Sequence, residues 1–363
     1  MKYVVVIPAL EPDKSFINYI QELLSAGIEK IIVVNDGSSS ACDGIFEEIS
    51  KVENCFVLTH KVNKGKGVAL KTAFKFYLKN LSDYKGIITA DCDGQHAISD
   101  ILRIGATMDE NPDNFVLGCR DFDKETPGKS LVGNRVTSVA MRLLYGISLN
   151  DTQTGLRGIP TLMIKPLSRL MGSRYEYELN MLIYAKRQCI PFVTIPIQTI
   201  YFDNNSASHY RPIIDSARIL TRVLSGLVCF SASAVCSGIV DFSIYSVGVK
   251  LFFQNLGLSQ RILFASVAAR LISSIVNFAL NRHMPYAQNK NISSTMPKYY
   301  ALLIVQLFLS YFGVYKICAA TGMDEMLVKL IVDLVLALFS YQIQMRWVFC
   351  DRTHNITQKK EMI

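Results

Sequence analysis

Four long apolar stretches in the second half of the chain limit what it can fold into. They run approximately over residues 223–240, 262–281, 299–321 and 327–347. Each approaches the ~20 residues that a helix with a rise of 1.5 Å per residue needs to cross about 30 Å of hydrocarbon. We therefore predict an all-α transmembrane domain of four helices. A hydrophobic content of 50% over 363 residues agrees, because it is high for a purely soluble chain.

The distribution of charge predicts the side of the membrane on which each half lies. After Arg222 the chain holds 12 basic and 6 acidic residues, so most of the net charge of +8 falls in the second half. Loops rich in Lys and Arg stay cytoplasmic, and here they lie between the second and third stretches and in the tail. We predict a multi-pass protein of the cell membrane with four spans, whose N-terminal half and both termini are cytoplasmic. The first half has no basic stripe interleaved with aromatic residues, and we expect no nucleic-acid partner.

The first half alternates strand and helix patterns. Short apolar runs at 3–7, 31–34, 55–58 and 85–88 indicate strands, and helical spacing over 15–26, 41–49 and 68–78 separates them. This rhythm predicts an α/β domain with a parallel sheet, in which right-handed crossovers bring the C-terminal ends of the strands to one edge. The loops that follow the strands should therefore converge on one crevice.

The loop after the fourth strand carries the strongest chemical signal. Asp91, Asp93 and Gln95 alternate along it, so a turning backbone could aim their oxygen atoms at one hard cation. Mg²⁺ and Mn²⁺ favour a few protein oxygens together with substrate phosphates. A polar turn that merely ends a strand gives the same Asp-x-Asp-Gly pattern, and this motif alone does not separate the two interpretations.

Taken together, the loops resemble a known family. Their order and spacing are similar to those of the family 2 glycosyltransferases with a GT-A fold, in the dolichol-phosphate mannosyltransferase and polyprenyl-phosphate glucosyltransferase branch. The second half resembles the GtrA-like four-helix membrane domain, and residues 277–282 and 341–349 give it a faint internal repeat. The resemblance of the first half covers roughly residues 3–215 and is carried by residues 7–11, 34–38, 63–67, 91–96, 118–120, 133–138, 151–158 and 175–178.

The resemblance implies a nucleotide-sugar donor and a divalent cation, Mg²⁺ or Mn²⁺. The cation would lie on Asp93 and Gln95 and would neutralise the charge that grows on the nucleoside-diphosphate leaving group. The sequence departs from the family at Asn35, where a first Asp is frequent, and at Cys92, where Ala is usual, and we expect both to be tolerated. The donor would lie along Pro8, Leu10, Glu11, Asp36, Asp91, Cys92 and Asp93.

The acceptor that the resemblance implies is a polyprenyl phosphate in the membrane bilayer. Guanidinium groups match phosphate oxygens, and the implied acceptor residues are Arg120, Arg135, Ser138 and Arg211. A lipid phosphate is already ionised near pH 7, so it can attack C1 of the sugar in line, with inversion, without a strong general base. The predicted catalytic residues are Asp91, Asp93, Arg120 and Arg135.

The predicted function is inverting transfer of a monosaccharide, from a donor of the UDP-glucose or GDP-mannose type, to polyprenyl phosphate. A transferase for another lipid or a growing glycan stays open. So does a lipid-linked sugar flippase or membrane-interaction protein whose globular half only recognises cargo. The predicted segments are a cytosolic GT-A domain (1–210), an amphipathic juxtamembrane segment (211–222), the transmembrane domain (223–352) and a cytosolic tail (353–363).

Two further expectations concern the membrane half. Asp241, Arg270 and Asp333 lie within or beside the apolar stretches, where an unpaired charge is costly, and we predict that they face the bundle and pair. The family resemblance also makes a homo-oligomer an open expectation, which no sequence pattern specifies.

Overall fold

The structure is a computed structural model, and it describes residues 2–120, 128–198, 212–283, 291–323 and 325–349. The chain divides into two compact units. The first holds Met1–Arg142 and Ile147–Thr221, and the second holds Leu143–Gly146 and Arg222–Ile363. Arg211, which is predicted to bind the acceptor phosphate, lies outside the described residues, and so does the predicted cytosolic tail 353–363.

A seven-stranded sheet forms the centre of the first unit. Its order is β3-β2-β1-β4-β6-β5-β7. The first four strands are parallel, and Val5 pairs with both Ile31 and Ile88. The predicted parallel arrangement of these four strands is confirmed. The strands are β1 (Val4–Ala9), β2 (Lys30–Asn35), β3 (Cys55–Thr59), β4 (Gly86–Thr89), β5 (Phe115–Arg120), β6 (Arg157–Pro160) and β7 (Phe192–Ile197).

The other half of the sheet differs from a simple parallel arrangement. β6 is antiparallel to both β4 and β5, whereas β5 and β7 are parallel. The sequence of β6 is Arg-Gly-Ile-Pro, and all four residues are buried. Gly and Pro both weaken the strand signal, so the sequence pattern did not reveal this strand. The last strand of the sheet, β7, ends at Ile197.

Helices pack on both faces of the sheet. Val5 and Ile7 point into an apolar cluster with residues of α1, α2 and α4. Val4 and Val6 are equally buried and lie outside that cluster, and α3 contacts β1 and β2. Because strand side chains alternate between faces, a strand buried on both faces is apolar throughout. The helices are α1 (Ser15–Ser25), α2 (Asp43–Ser50), α3 (Lys66–Asn80), α4 (Ile98–Glu110), α5 (Gly128–Tyr145), α6 (Thr161–Leu167) and α7 (Glu176–Arg187).

The second unit is helical. Residues 212–222 of the predicted juxtamembrane segment and the first apolar stretch belong to one helix, α8. Among the described residues, one helix, Leu224–Phe252, is long and apolar enough to cross a membrane, and the four-span topology stays a prediction. The helices are α8 (Pro212–Val247), α9 (Leu258–His283), α10 (Ile292–Thr321) and α11 (Glu325–Ile343), with π-helical turns at Gly248–Phe252 and Gln344–Val348.

A buried hydrogen-bond network joins these helices. The Asn281 amide, which has no exposed surface, donates to the side-chain oxygens of Asn277 at 2.8 Å and Gln344 at 3.2 Å. It accepts from the Ser233 hydroxyl at 2.6 Å, and the Tyr299 hydroxyl donates to Asn277 at 2.8 Å. α8, α9, α10 and the C-terminal π-helical turn are thus linked by polar side chains, which can hold helices together in an apolar surrounding.

The same network brings together the two segments of the faint internal repeat. Residues 277–282 end α9 and residues 341–349 include the C-terminal π-helical turn. Phe278 stacks on Phe349 with ring centroids 6.0 Å apart, beside the hydrogen bond between Asn281 and Gln344. The repeated segments are therefore packed against each other.

Of the three charged residues predicted to face the bundle and pair, Asp241 and Arg270 lie close to each other, whereas Arg270 and Asp333 are exposed and do not face inward. Asp241 on α8 accepts a hydrogen bond of 2.7 Å from Ser273 on α9, and Arg270 lies 3.8 Å from the same carboxylate. The Arg270 side chain is 69% exposed, because Ser273, one helical turn later, occupies the position facing α8. Asp333 accepts a hydrogen bond of 2.6 Å from Ser310 on α10.

We expect Asn281→Ala to destabilise the helical unit. The substitution leaves the polar partners of Asn281 without the hydrogen bonds that it makes. We expect this loss to lower the free energy of unfolding by about 1 kcal/mol and the melting temperature by about 2–4 °C. Thermal unfolding of the detergent-solubilised protein measures this change. Ser243→Ala is the matched control, since the exposed Ser243 hydroxyl donates a hydrogen bond to the Ile239 carbonyl of its own helix. Equal melting temperatures for the two variants would contradict the expectation.

Candidate active site

A crevice of about 340 Å³ opens where β1, β2 and β4 end. It is closed on the other side by residues from the start of α3 and from the segment before α7. Parallel strands place their ligand sites at their C-terminal ends, and the predicted convergence of the loops is observed here. All seven residues predicted for the donor line this crevice: Pro8, Leu10, Glu11, Asp36, Asp91, Cys92 and Asp93.

The Asp91 carboxylate is held on both oxygen atoms. Lys66 Nζ lies 2.7 Å from Oδ1, and His96 Nε2 lies 3.3 Å from Oδ2. The backbone of His96 is fixed in turn, since its carbonyl accepts a hydrogen bond of 3.1 Å from the buried Tyr19 hydroxyl. Gly155 packs directly against the carboxylate. Burial would raise the pKa of Asp91, but Lys66 and His96 hold it well below its ordinary value.

Asp93 and Cys92 differ from Asp91 in their electrostatics. Burial and the neighbouring Asp91 charge raise the pKa of Asp93, so a cation beside it would favour the ionised form. Burial raises the pKa of the Cys92 thiol to about 12. Asp93 Oδ1 accepts a hydrogen bond of 3.1 Å from the backbone N–H of Gln95. Gln95, the other predicted ligand of the cation, does not line the crevice.

Asp36 holds the loop that leads into α3. Its Oδ2 accepts a hydrogen bond of 2.7 Å from the Gly65 amide, and its Oδ1 accepts one of 3.0 Å from the Lys64 amide. His60 Nδ1 lies 2.7 Å from Oδ1, and His60 Nε2 lies 2.9 Å from the Thr72 hydroxyl. Gly65 has a φ of 96°, a conformation that glycine adopts without strain. Asp36 therefore orders the wall of the crevice that carries Lys66.

Glu11 and Asn35 order the opposite wall. Glu11 accepts hydrogen bonds from the Ser39 amide at 2.6 Å and the Ser39 hydroxyl at 2.8 Å, and its own amide donates to the Ser38 hydroxyl at 2.9 Å. Asn35 Oδ1 accepts a hydrogen bond of 2.9 Å from the Ser38 amide. An aspartate oxygen could accept the same bond, which explains how Asn fits at this position.

Of the predicted acceptor residues that the structure describes, none lines this crevice. Arg120, at the end of β5, forms a bidentate pair with the fully buried Asp151, with Nε at 2.6 Å and Nη2 at 3.1 Å. Arg135 is exposed on α5. The Ser138 hydroxyl donates to a backbone carbonyl at 3.3 Å. Arg211 lies outside the described residues.

Eight residues that line the crevice carry no site prediction from the sequence, and four of them contribute side chains from the start of α3 and the segment before α7. Lys66 begins α3 and lies between two carboxylates, 2.7 Å from Asp91 and 2.9 Å from Glu178. Arg174 and Tyr175 line the crevice just before α7, as does Asn63 just before α3. The Gly-Lys-Gly run at 65–67 is a sequence signal for a loop that approaches a phosphate. No sequence pattern near Lys66 indicates that it contacts Glu178 of α7.

Two parts of the chain match known families. Residues 4–161 match the family described as Glycosyl transferase family 2. Residues 229–349 match the domain described as GtrA/DPMS, transmembrane domain. The chain therefore belongs to the family 2 glycosyltransferases and carries a membrane domain of the GtrA/DPMS type. The resemblance found in the sequence is confirmed, and the protein is a glycosyltransferase with a GT-A-like sheet domain.

Two curated relatives match this chain over more than half of its length. An uncharacterized protein of Methanocaldococcus jannaschii is 31% identical over 225 residues, which are 61% of this chain and 90% of the relative. The UDP-N-acetylglucosamine–dolichyl-phosphate N-acetylglucosaminyltransferase of Methanococcus voltae is 32% identical over 221 residues, 56% of this chain and 87% of the relative. Among solved structures, the chain is similar to glucosyl-3-phosphoglycerate synthase from Mycobacterium tuberculosis, in a complex with Mn²⁺, uridine diphosphate and glucosyl-3-phosphoglycerate. The sequence identity is 15% and the TM-score is 0.45. The alignment covers 61% of this chain and 78% of that protein.

We expect Gly155→Ala to weaken nucleotide binding. An added Cβ would collide with the Asp91 carboxylate and turn it away from the crevice, and displacement of a positioned group by about 1 Å can cost about 100-fold in function. Calorimetric titration with uridine and guanosine diphosphates measures the loss. Gly44→Ala is the control, since its Cβ would meet nothing within 4 Å. Unchanged nucleotide binding by Gly155→Ala would show that binding does not depend on the position of the Asp91 carboxylate.

We expect Cys92 to react slowly with alkylating reagents. Burial raises the pKa of its thiol to about 12, so the reactive thiolate is rare at pH 7 and increases about tenfold per pH unit below that pKa. Peptide-level mass spectrometry after timed alkylation at several pH values measures the rate. The same cysteine in the denatured protein is the control. Equal rates at pH 7 in folded and denatured protein would contradict the expectation.

Proposed function

We propose that this protein transfers a monosaccharide from a nucleotide sugar to a polyprenyl phosphate, with inversion at C1 of the sugar. The observation that carries the proposal is the convergence of all seven predicted donor residues on one crevice, in a chain that also has a GtrA/DPMS transmembrane domain. The Methanococcus voltae relative, whose name gives UDP-N-acetylglucosamine as donor and dolichyl phosphate as acceptor, supports a lipid phosphate as the acceptor here.

The residues that line the crevice support a nucleotide-sugar donor. The segment 8–13 and Asp36 would border the base and ribose, while 91–93 would border the diphosphate. Arg174 adds a guanidinium group to the lining, which suits a phosphate of the donor. UDP-N-acetylglucosamine, UDP-glucose and GDP-mannose are the donors to compare, because the sugar and base depend on contacts that no motif fixes.

The carboxylates fit a divalent cation held jointly with the donor diphosphate. Asp93 is partly exposed to the crevice, and its raised pKa reflects burial and the nearby Asp91 charge. A Mg²⁺ or Mn²⁺ ion, which takes few protein oxygens when phosphates are present, would be held by Asp93, with Gln95 as a further candidate. When bound, the ion would stabilise charge on the leaving nucleoside diphosphate.

The transfer itself needs little from a general base. An oxygen of the lipid phosphate forms the new bond to C1 while the bond from C1 to the donor diphosphate breaks, and its electron pair leaves with the nucleoside diphosphate. Because the lipid phosphate is already ionised near pH 7, no proton has to be removed. Arg120, whose direction Asp151 fixes, and Arg135 would hold the acceptor, together with Ser138 and Arg211.

We expect the purified protein to transfer labelled sugar from one of the three donors to undecaprenyl phosphate when Mg²⁺ or Mn²⁺ is present. Asp93→Asn and Arg135→Ala should each lower the rate by about 100-fold or more, as the loss of a charge-stabilising group does. Matched controls are Asp83→Asn, an exposed carboxylate before β4, and Arg142→Ala, an exposed arginine further along α5. Both controls should keep the wild-type rate.

Two results would overturn the proposal. A wild-type protein that transfers no sugar from any donor, yet speeds the movement of lipid-linked sugar across vesicles, would support the flippase alternative. Transfer to another lipid or to a glycan, but not to undecaprenyl phosphate, would keep the glycosyltransferase and replace the acceptor.

A further inference from the structure

Lys66, at the first residue of α3, connects two carboxylates that come from distant parts of the first unit. Its Nζ lies 2.7 Å from Asp91 Oδ1 and 2.9 Å from Glu178 Oε1. The side chains of Glu178 and Lys66 are 7% and 17% exposed, so this ion pair is largely shielded from water, whereas Asp91, at the crevice, is 30% exposed. Buried charges at these distances interact strongly, because neither solvent nor salt screens them well.

The backbone of Glu178 is fixed by a second buried charge. The Arg157 guanidinium donates to the Glu178 carbonyl at 2.6 Å and to the Thr154 carbonyl at 2.8 Å. Arg157 is 1% exposed, so its position in β6 and its backbone partners determine its direction. Glu178 is therefore held in the first turn of α7, directly after the segment that lines the crevice.

These contacts continue to the candidate acceptor arginine. Arg157 also donates to the Thr152 carbonyl at 3.3 Å, in the segment that begins with Asp151. Asp151 in turn forms the bidentate pair with Arg120. A continuous series of charged groups and backbone carbonyls thus runs from Asp91 through Glu178 to Arg120.

We propose that Glu178 is a positioning residue for the donor site: by holding Lys66 against Asp91, it sets both the direction of the Asp91 carboxylate and the net charge that a bound cation meets. The inference rests on the proposed function of the crevice. Glu178 itself does not line the crevice, so it acts through Lys66.

The charge argument follows from the members of the cluster. Asp91, Asp93 and Glu178 supply three negative charges and Lys66 one positive charge. Replacing Glu178 by glutamine leaves Lys66 to neutralise Asp91 alone, so the net charge falls from −2 to −1. A divalent cation is attracted less strongly to a less negative site. Lys66 would also lose the partner that keeps its ammonium group between α7 and the loop after β4.

The test measures binding of uridine or guanosine diphosphate to the purified full-length protein across a range of Mn²⁺ concentrations. Glu178→Gln is expected to need about tenfold more Mn²⁺ for half-maximal nucleotide binding. Glu110→Gln, which removes an exposed carboxylate at the end of α4, is the matched control and should behave as wild type. Melting temperatures of all variants separate loss of folding from loss of binding.

A double variant, Lys66→Met with Glu178→Met, separates charge from position. It removes one charge of each sign, so the net charge of the cluster stays at −2, and replacing a buried ion pair by apolar side chains of similar volume is often tolerated. We expect its Mn²⁺ requirement to stay within about twofold of wild type, while kcat at saturating donor falls by about tenfold or more because Asp91 is no longer held.

Each outcome decides the proposal. A folded Glu178→Gln protein with the wild-type Mn²⁺ requirement, or a double variant with wild-type kcat, would overturn it. If Glu178→Gln does not fold, the double variant alone tests the positioning role. If the wild type binds nucleotide but transfers no sugar, the proposed function fails, whereas the Mn²⁺ titrations still report on Glu178.

Discussion

The Lys66 ammonium, placed between Asp91 and Glu178, is the interaction on which the candidate active site depends. Placing a charge where water is largely excluded is costly unless it is paired and hydrogen-bonded. Here the ammonium has two carboxylates within 2.9 Å. The pairing fixes α3 and α7 relative to the loop after β4, and so it gives the crevice a defined shape before any ligand binds.

Around this cluster, two polar side chains that line the crevice also bind the backbone of its loops. Asp36 uses both carboxylate oxygens on the loop before α3, and Glu11 accepts from the Ser39 amide and hydroxyl. Such contacts hold the loops in place, and positioned groups catalyse better than mobile ones because less reorganisation is needed at the moment of reaction. Residues of this kind can border a donor and order the site together.

The helical unit uses the same kind of interaction for a different purpose. Asn281 accepts a hydrogen bond from Ser233 and donates one to Gln344 in the interior of the unit. In an apolar surrounding, such bonds specify which helix faces meet, since apolar side chains alone pack in many ways. The segments of the internal repeat lie at this contact, which gives their similarity a structural role.

The sequence by itself determined the four parallel strands and the loops that line the donor crevice, because strand periodicity and loop motifs are local and parallel strands end at one edge. It also determined the family and the membrane domain. Only the tertiary structure decided that β6 inserts antiparallel between β4 and β5, that Asp151 pairs with Arg120 and that Glu178 meets Lys66. These pairings join residues far apart along the chain, so they depend on how the elements pack, which no local pattern encodes.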